Sequence, residues 1–188
     1  MSDTATTPTI PGYIAGTWSI DPVHSHVEFS VRHMMVSKVR GKFNSYSGEF
    51  VTAENPLESS VTASIDLSSI DTGNVDRDNH IRSADFFEVE ANKTMTFVST
   101  GIRQDGDDYK LDGDLTLKGI TKPVTFDLEV NGFGPDAYGG TRSGFSATTT
   151  INRRDFGVDF NAAMETGGLV VADKVTVQLE IELVLDAG

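Results

Sequence analysis

Apolar and polar residues alternate with a period of two through most of this chain, and that alternation limits its fold more than any other feature. A side chain on one face at every second residue is the geometry of a half-buried strand. Val27, Phe29, Val31 and His33 alternate with His26, Glu28, Ser30 and Arg32. The pattern recurs at Val61, Ala63, Ile65 and Leu67, at Met95, Phe97 and Ser99, and at Leu111, Gly113, Leu115 and Leu117. It returns at Val124, Phe126, Leu128 and Val130, at Phe145, Ala147, Thr149 and Ile151, and along Val175, Val177, Leu179, Ile181 and Leu183. Seven strands are the minimum, and about eight are predicted.

Turn chemistry separates these runs. Asp105-Gly106-Asp107-Asp108, Gly119 to Pro123, Asn131 to Pro135 and Gly139-Gly140 all favour reversals, so consecutive strands are mostly antiparallel neighbours. The segment from Asn74 to about Phe87 lacks the alternation; there Asn74 can cap one short helix whose first turn holds Asp76 and Asp78. Many strands with so little helix make an all-β closed barrel or a two-sheet sandwich, and closure hides the strand edges. Residues 1–16 are Thr- and Pro-rich without periodicity and are predicted to be a flexible arm before a single domain over 17–186.

Composition excludes several roles. A formal net charge of −13 opposes the phosphate backbone, so nucleic acid is not expected as a partner. The absence of Cys removes disulfides, thiolate catalysis and Cys-based zinc sites together. No apolar run approaches the ~18 residues of a membrane-spanning helix, and the opening residues show neither a basic nor an apolar leader region, which predicts a cytoplasmic protein.

Few residues suggest chemistry. His24 and His26 lie two apart and could chelate a metal with His33 or His80, but a structural histidine is the commoner use and no metal site is assigned. No Gly-x-Ser-x-Gly sequence occurs and no catalytic residues are assigned. Asp105 to Asp114 reads as an acidic hairpin surface. Basic residues gather at predicted loops, with Arg77, His80 and Arg82 in the helical crossover and Arg153-Arg154 after a strand. Arg77, His80, Arg153 and Arg154 are candidate contacts for an anionic head group, against the alternative of ordinary ion pairing. The small residues Ala63, Ser99, Gly113, Ala147 and Thr149 share inward faces with large ones. Such a barrel either holds a small ligand or fills itself by size alternation.

Several stretches together resemble the YceI-like (polyisoprenoid-binding) family. Trp18-Ser-Ile-Asp21-Pro-Val-His24-Ser25 through Phe29 to His33 is similar to its opening strands, followed by Gly41-Lys-Phe43 and Ser47-Gly48-Glu-Phe50. Arg77-Asp78-Asn-His80-Ile-Arg82-Ser83-Ala-Asp85-Phe86-Phe87 resembles its crossover, Leu115 to Val124 its central hairpin, and Arg153-Arg154-Asp155-Phe156-Gly157 its late loop.

The resemblance implies a lipocalin-like antiparallel β-barrel whose interior takes a long isoprenoid chain, a polyprenyl lipid or a quinone tail. It implies noncatalytic binding or carriage, with no cofactor required. Many members carry a secretory segment, from which this chain's opening differs. With the alternation, the resemblance gives Phe29, Val31, Phe43, Phe50, Ile65 and Phe97 as lining. Leu115, Leu117, Phe126, Phe145 and Ala147 extend that lining, with Phe86, Phe87 and Phe156 near the openings. The alternatives are an enzyme acting on an isoprenoid or other apolar substrate, and a stress-related structural protein with a filled barrel. Outward apolar residues leave room for a homodimer.

Overall fold

A computed structural model describes residues 7–34, 36–161 and 171–187. Among them the strands are β1 (Gly16–Ile20), β2 (His26–His33), β3 (Ser37–Phe43), β4 (Tyr46–Thr52), β5 (Ser60–Asp66) and β6 (Ile70–Asp71). After the helix α1 (Val75–Arg82) come β7 (Thr94–Asp105), β8 (Asp108–Leu117), β9 (Ile120–Pro135), β10 (Thr141–Asn152) and β11 (Val171–Leu185).

Pairing reduces these strands to eight staves. β1 and β2 both run antiparallel to β11, so they are two pieces of one stave. β4 pairs with β1 and β3 with β2, and in turn β5 pairs with β4 and β6 with β3. The second and third staves are therefore also broken once each. The long strands β7 to β11 follow as an antiparallel meander, and the β1–β11 pairing closes the ring. The protein is a closed eight-stranded antiparallel barrel, and closure rather than the sandwich solves the edge problem for most of the wall.

Local sequence explains the connections. Lys118 and Gly119 both take positive φ, 53° and 74°, which is the conformation a two-residue hairpin needs between β8 and β9. The Asn74 side chain accepts from the Arg77 amide at 2.9 Å and starts α1 as predicted. The helix stops at Arg82, short of the predicted Phe87. Ser83 terminates it by returning its amide and hydroxyl to the His80 carbonyl, and the chain then turns Phe86 and Phe87 toward the barrel. Arg82 pins the helix to the third stave, donating to the carbonyls of Ser68 and Ile70 at 2.9 and 3.0 Å. Buried Asp78 accepts from the Thr72 amide and hydroxyl.

One end, here called the mouth, carries the β2–β3 turn, the α1 crossover, the β8–β9 turn and the loop after β10. The other, the floor, carries the segment before β1, the β4–β5 connection and the β7–β8 and β9–β10 turns. Between them the core runs through Phe43, Ile65, Leu67, Ile70, Phe97, Leu111, Leu115 and Phe126, all buried.

Candidate ligand-binding site

The inward faces of the staves do not meet. They enclose a cavity of about 670 Å³, within the range of small-molecule sites. Ten of the 11 phenylalanines line it, Phe156 being the exception. Large rings held apart by Ala63, Ala147 and Thr149 leave this space, because the small residues face the rings instead of interlocking with them. Phe97 meets Phe126 edge-to-face at 5.4 Å, and Phe29, Phe43 and Phe87 continue as tilted neighbours at 5.6 and 6.3 Å.

Thirteen of the fourteen predicted lining residues face this space: Phe29, Val31, Phe43, Phe50, Ile65, Phe86, Phe87, Phe97, Leu115, Leu117, Phe126, Phe145 and Ala147. Phe156 does not. It is 2% exposed, packed into the core within a 3-10 turn that Asn152 caps. Of the small inward residues, Gly113 lies behind the Phe97 ring, and the Ser99 hydroxyl accepts from the Val61 amide at 2.9 Å.

Sequence alone missed the floor. Ile10 and Tyr13 lie against the cavity, although the segment before β1 carries no strand pattern. The Tyr13 ring meets Phe133 edge-on at 5.2 Å, and its hydroxyl donates to the Ala53 carbonyl. Trp18, 1% exposed, also meets Phe133 edge-on at 5.6 Å and donates its indole N–H to Thr52 Oγ1 at 2.8 Å. Burial raises the pKa of Tyr46 and of Tyr109, so both inward phenols stay neutral; Tyr46 donates to the Ser25 carbonyl at 2.9 Å.

At the mouth, His80 stands edge-on to Phe86 at 5.1 Å and to Phe160 at 4.8 Å, with its Nε2 2.8 Å from Asp85. The four predicted head-group contacts separate here. Arg77 and His80 line the opening. Arg77 uses only part of its fork on Thr72, through Nε to Oγ1 at 2.7 Å and Nη2 to the carbonyl at 2.6 Å. Arg153 also borders the cavity, but it is 5% exposed and donates to the carbonyls of Val158, Phe160, Val171 and Ala172. Four of its five N–H groups are thus committed to holding the loop onto β11. Burial lowers its pKa, yet the carbonyl cage and Asp173, 3.7 Å away, suit a guanidinium. Arg154 points away from the opening and pairs with Asp173 at 2.6 Å.

Near the floor, Asp21, His24 and Glu182 gather as a metal site would. Arg142 already occupies that cluster, with Nη1 2.5 Å from Asp21 and 2.7 Å from Glu182, and with Nε 3.0 Å from Asp136. A built-in cation at the centre makes the cluster a structural ion network. Hydrogen bonds from His24 and then Arg142 hold the Asp21 carboxyl well below the usual range, and the Asp21 bond raises His24.

Residues 18–183 match the YceI-like domain family. The chain belongs to that family. Among YceI-like relatives, a UPF0312 protein of Staphylococcus epidermidis is 42% identical over 171 residues, 90% of this chain and 98% of that protein. Burkholderia cenocepacia BcnA has a similar structure, with a TM-score of 0.76 at 25% identity over 87% of this chain and 98% of its own. A polyisoprenoid binding domain from Saccharophagus degradans shares the fold, with a TM-score of 0.68 at 18% identity over 90% of this chain and 98% of that one.

Proposed function

We propose that this YceI-like protein binds and carries a long, flexible apolar molecule of the prenyl-lipid class, a polyprenyl lipid or a quinone tail. The tail lies in the barrel and the polar end sits at the mouth. One observation carries this reading: a phenylalanine-lined cavity of about 670 Å³, bordered at the floor by Tyr13 and Phe133, with Trp18 packed on Phe133, and at the other end by Arg77 and His80. Burying ~15 apolar carbons at ~0.8 kcal/mol each would give ~12 kcal/mol before ordering and association costs are subtracted. Such a gain favours a bound ligand that survives purification.

Family membership and the Saccharophagus degradans neighbour support binding rather than catalysis. The polar groups of the site agree. Tyr46 and Arg153 are spent on main-chain carbonyls, which suits a wall that orients a guest. Among the mouth side chains, Arg77 retains unused donors for an anionic or hydroxyl head group.

The deciding experiment is organic extraction of the purified protein followed by mass spectrometry, with mock-purified host extract as control. A prenyl lipid in stoichiometric amount is expected. An empty extract, followed by failure to load added polyprenols, would overturn the proposal. Conversion of a loaded prenyl compound into a new product would replace carriage with catalysis.

A further inference from the structure

We infer that the β2–β3 hairpin at the mouth docks the protein on an anionic lipid bilayer, where the cavity would exchange its ligand. This inference rests on the ligand reading above for its purpose, but its observations are separate ones on the outer surface.

The hairpin carries charge that the rest of the chain does not neutralise. Arg32, which also borders the cavity at the mouth, stands directly opposite Lys38 across the pair, and Arg40 and Lys42 continue the same face, with Glu28 opposite Lys42. Like charges facing across two strands repel and are normally avoided. In a chain with 28 acids and 15 bases, these cations had partners in excess. Arg103, Lys110, Arg142 and Arg154 all found theirs. Among the described residues, Arg32, Lys38 and Arg40 make no ion pair and no side-chain hydrogen bond, while Lys42 lies between Glu28 on β2 and Asp71 on β6.

The tip of the same hairpin is apolar. Val36 is 84% exposed and Met34 41%, and Val75, the first residue of α1 at this end, is 74% exposed. Aliphatic residues at the tip of a strip of cations are the arrangement that inserts at the level of lipid headgroups. A soluble polyanion would use the cations and leave the aliphatic tips in water, so the pairing of the two favours a bilayer.

Charge over the whole molecule points the same way. Twelve of the 15 Lys and Arg fall in the mouth-side half of their staves or in the connections at that end; Arg103, Lys110 and Arg142 are the other three. Most of the net negative charge therefore sits toward the floor. An anionic surface would repel that end and turn the mouth toward itself.

The test is co-sedimentation of the full chain with vesicles of phosphatidylcholine alone and of phosphatidylcholine mixed with phosphatidylglycerol, at low and high salt. Binding to the anionic vesicles only, weakened by salt, is expected. Each removed cation should weaken it roughly fivefold. Lys38→Glu with Arg40→Glu should abolish it, and Val36→Asn should weaken it without changing the charge. Polyprenol loading from detergent solution, measured on the same variants, should be unchanged, because none of the three residues lines the cavity.

Equal sedimentation with both vesicle types, or none, overturns the docking surface while normal loading leaves the ligand reading intact. Anionic vesicle binding by a protein that loads no prenyl compound keeps the docking surface and removes the ligand reading. Retention by dextran sulfate with no vesicle binding and no effect of Val36→Asn would assign the hairpin to a soluble anionic macromolecule and overturn the bilayer.

Discussion

The Phe97 ring lies directly over Gly113, so close that a Cβ on residue 113 would stand 2.3 Å from Phe97 Cζ and 2.7 Å from the Val98 carbonyl oxygen. The glycine does not leave open volume, as its place on an inward face suggests; it makes room for a ring that then becomes the wall. Gly113→Ala is therefore expected to displace Phe97 or part β7 from β8, at about 1–3 kcal/mol of stability. Ala147 differs, since it faces the cavity itself. Ala147→Phe is expected to fill space a guest would use and to abolish lipid uptake with the fold retained. Urea unfolding and polyprenol loading on both variants check the pair of statements, and a Gly113→Ala protein of wild-type stability would contradict the packing.

Arg153 should tolerate Lys poorly. Lysine keeps the charge but offers three donors from a single nitrogen, and it cannot reach carbonyls spread from Val158 to Ala172. Arg153→Lys is expected to cost about 1–3 kcal/mol through the carbonyls left unpaired. Urea unfolding measures the cost, and proteolytic nicking near Phe160 should rise with it.

The His24–Asp21 pair should make stability depend on pH. The folded protein raises the His24 pKa through the Asp21 hydrogen bond, so it binds a proton that the unfolded chain holds less tightly. The contribution is complete below the ordinary imidazole pKa and is lost as pH rises through the raised folded value. Comparing wild type with His24→Ala by thermal melting, the gap should be larger at about pH 5.5 than at about pH 8.5. A gap that grew with pH would refute the linkage.

Lys38→Glu should stabilise the isolated protein. It replaces the like-charge pair with Arg32 by an opposite-charge pair on exposed strands, a gain of roughly 0.2–1 kcal/mol. A small rise in melting temperature, shrinking in high salt, is expected.

Much of the barrel was legible because a strand's two faces are fixed by parity alone. Phe29, Ile65, Leu115, Leu117, Phe126 and Ala147 needed only the alternation to be placed inward. Parity fails at a bulge. On β9 the register slips beside Gly144/Phe145, so Val130 and Phe133 both face inward at an odd spacing, and the ring that helps seal the floor was invisible. The same happens on β7 between Ser99 and Gly101, which turns Ile102 inward. Tyr13, Phe156 and Phe160 lie outside regular strands, where no period tells which way a side chain turns. Arg153 shows the remaining gap: its place in a loop suggested a ligand, and only the four surrounding carbonyls reveal a latch.

Five staves of the ring are single unbroken strands, while the other three are spliced from two short pieces each. Ser37–Gly41 has a strand neighbour on one side only, and no pairing joins β6 to β7, where α1 and Phe86–Phe87 span the gap. The barrel thus has a stiff arc and a seam. For the prenyl guest proposed above, such a seam would offer entry from the side instead of end-first threading, as into a purse whose clasp is one short helix.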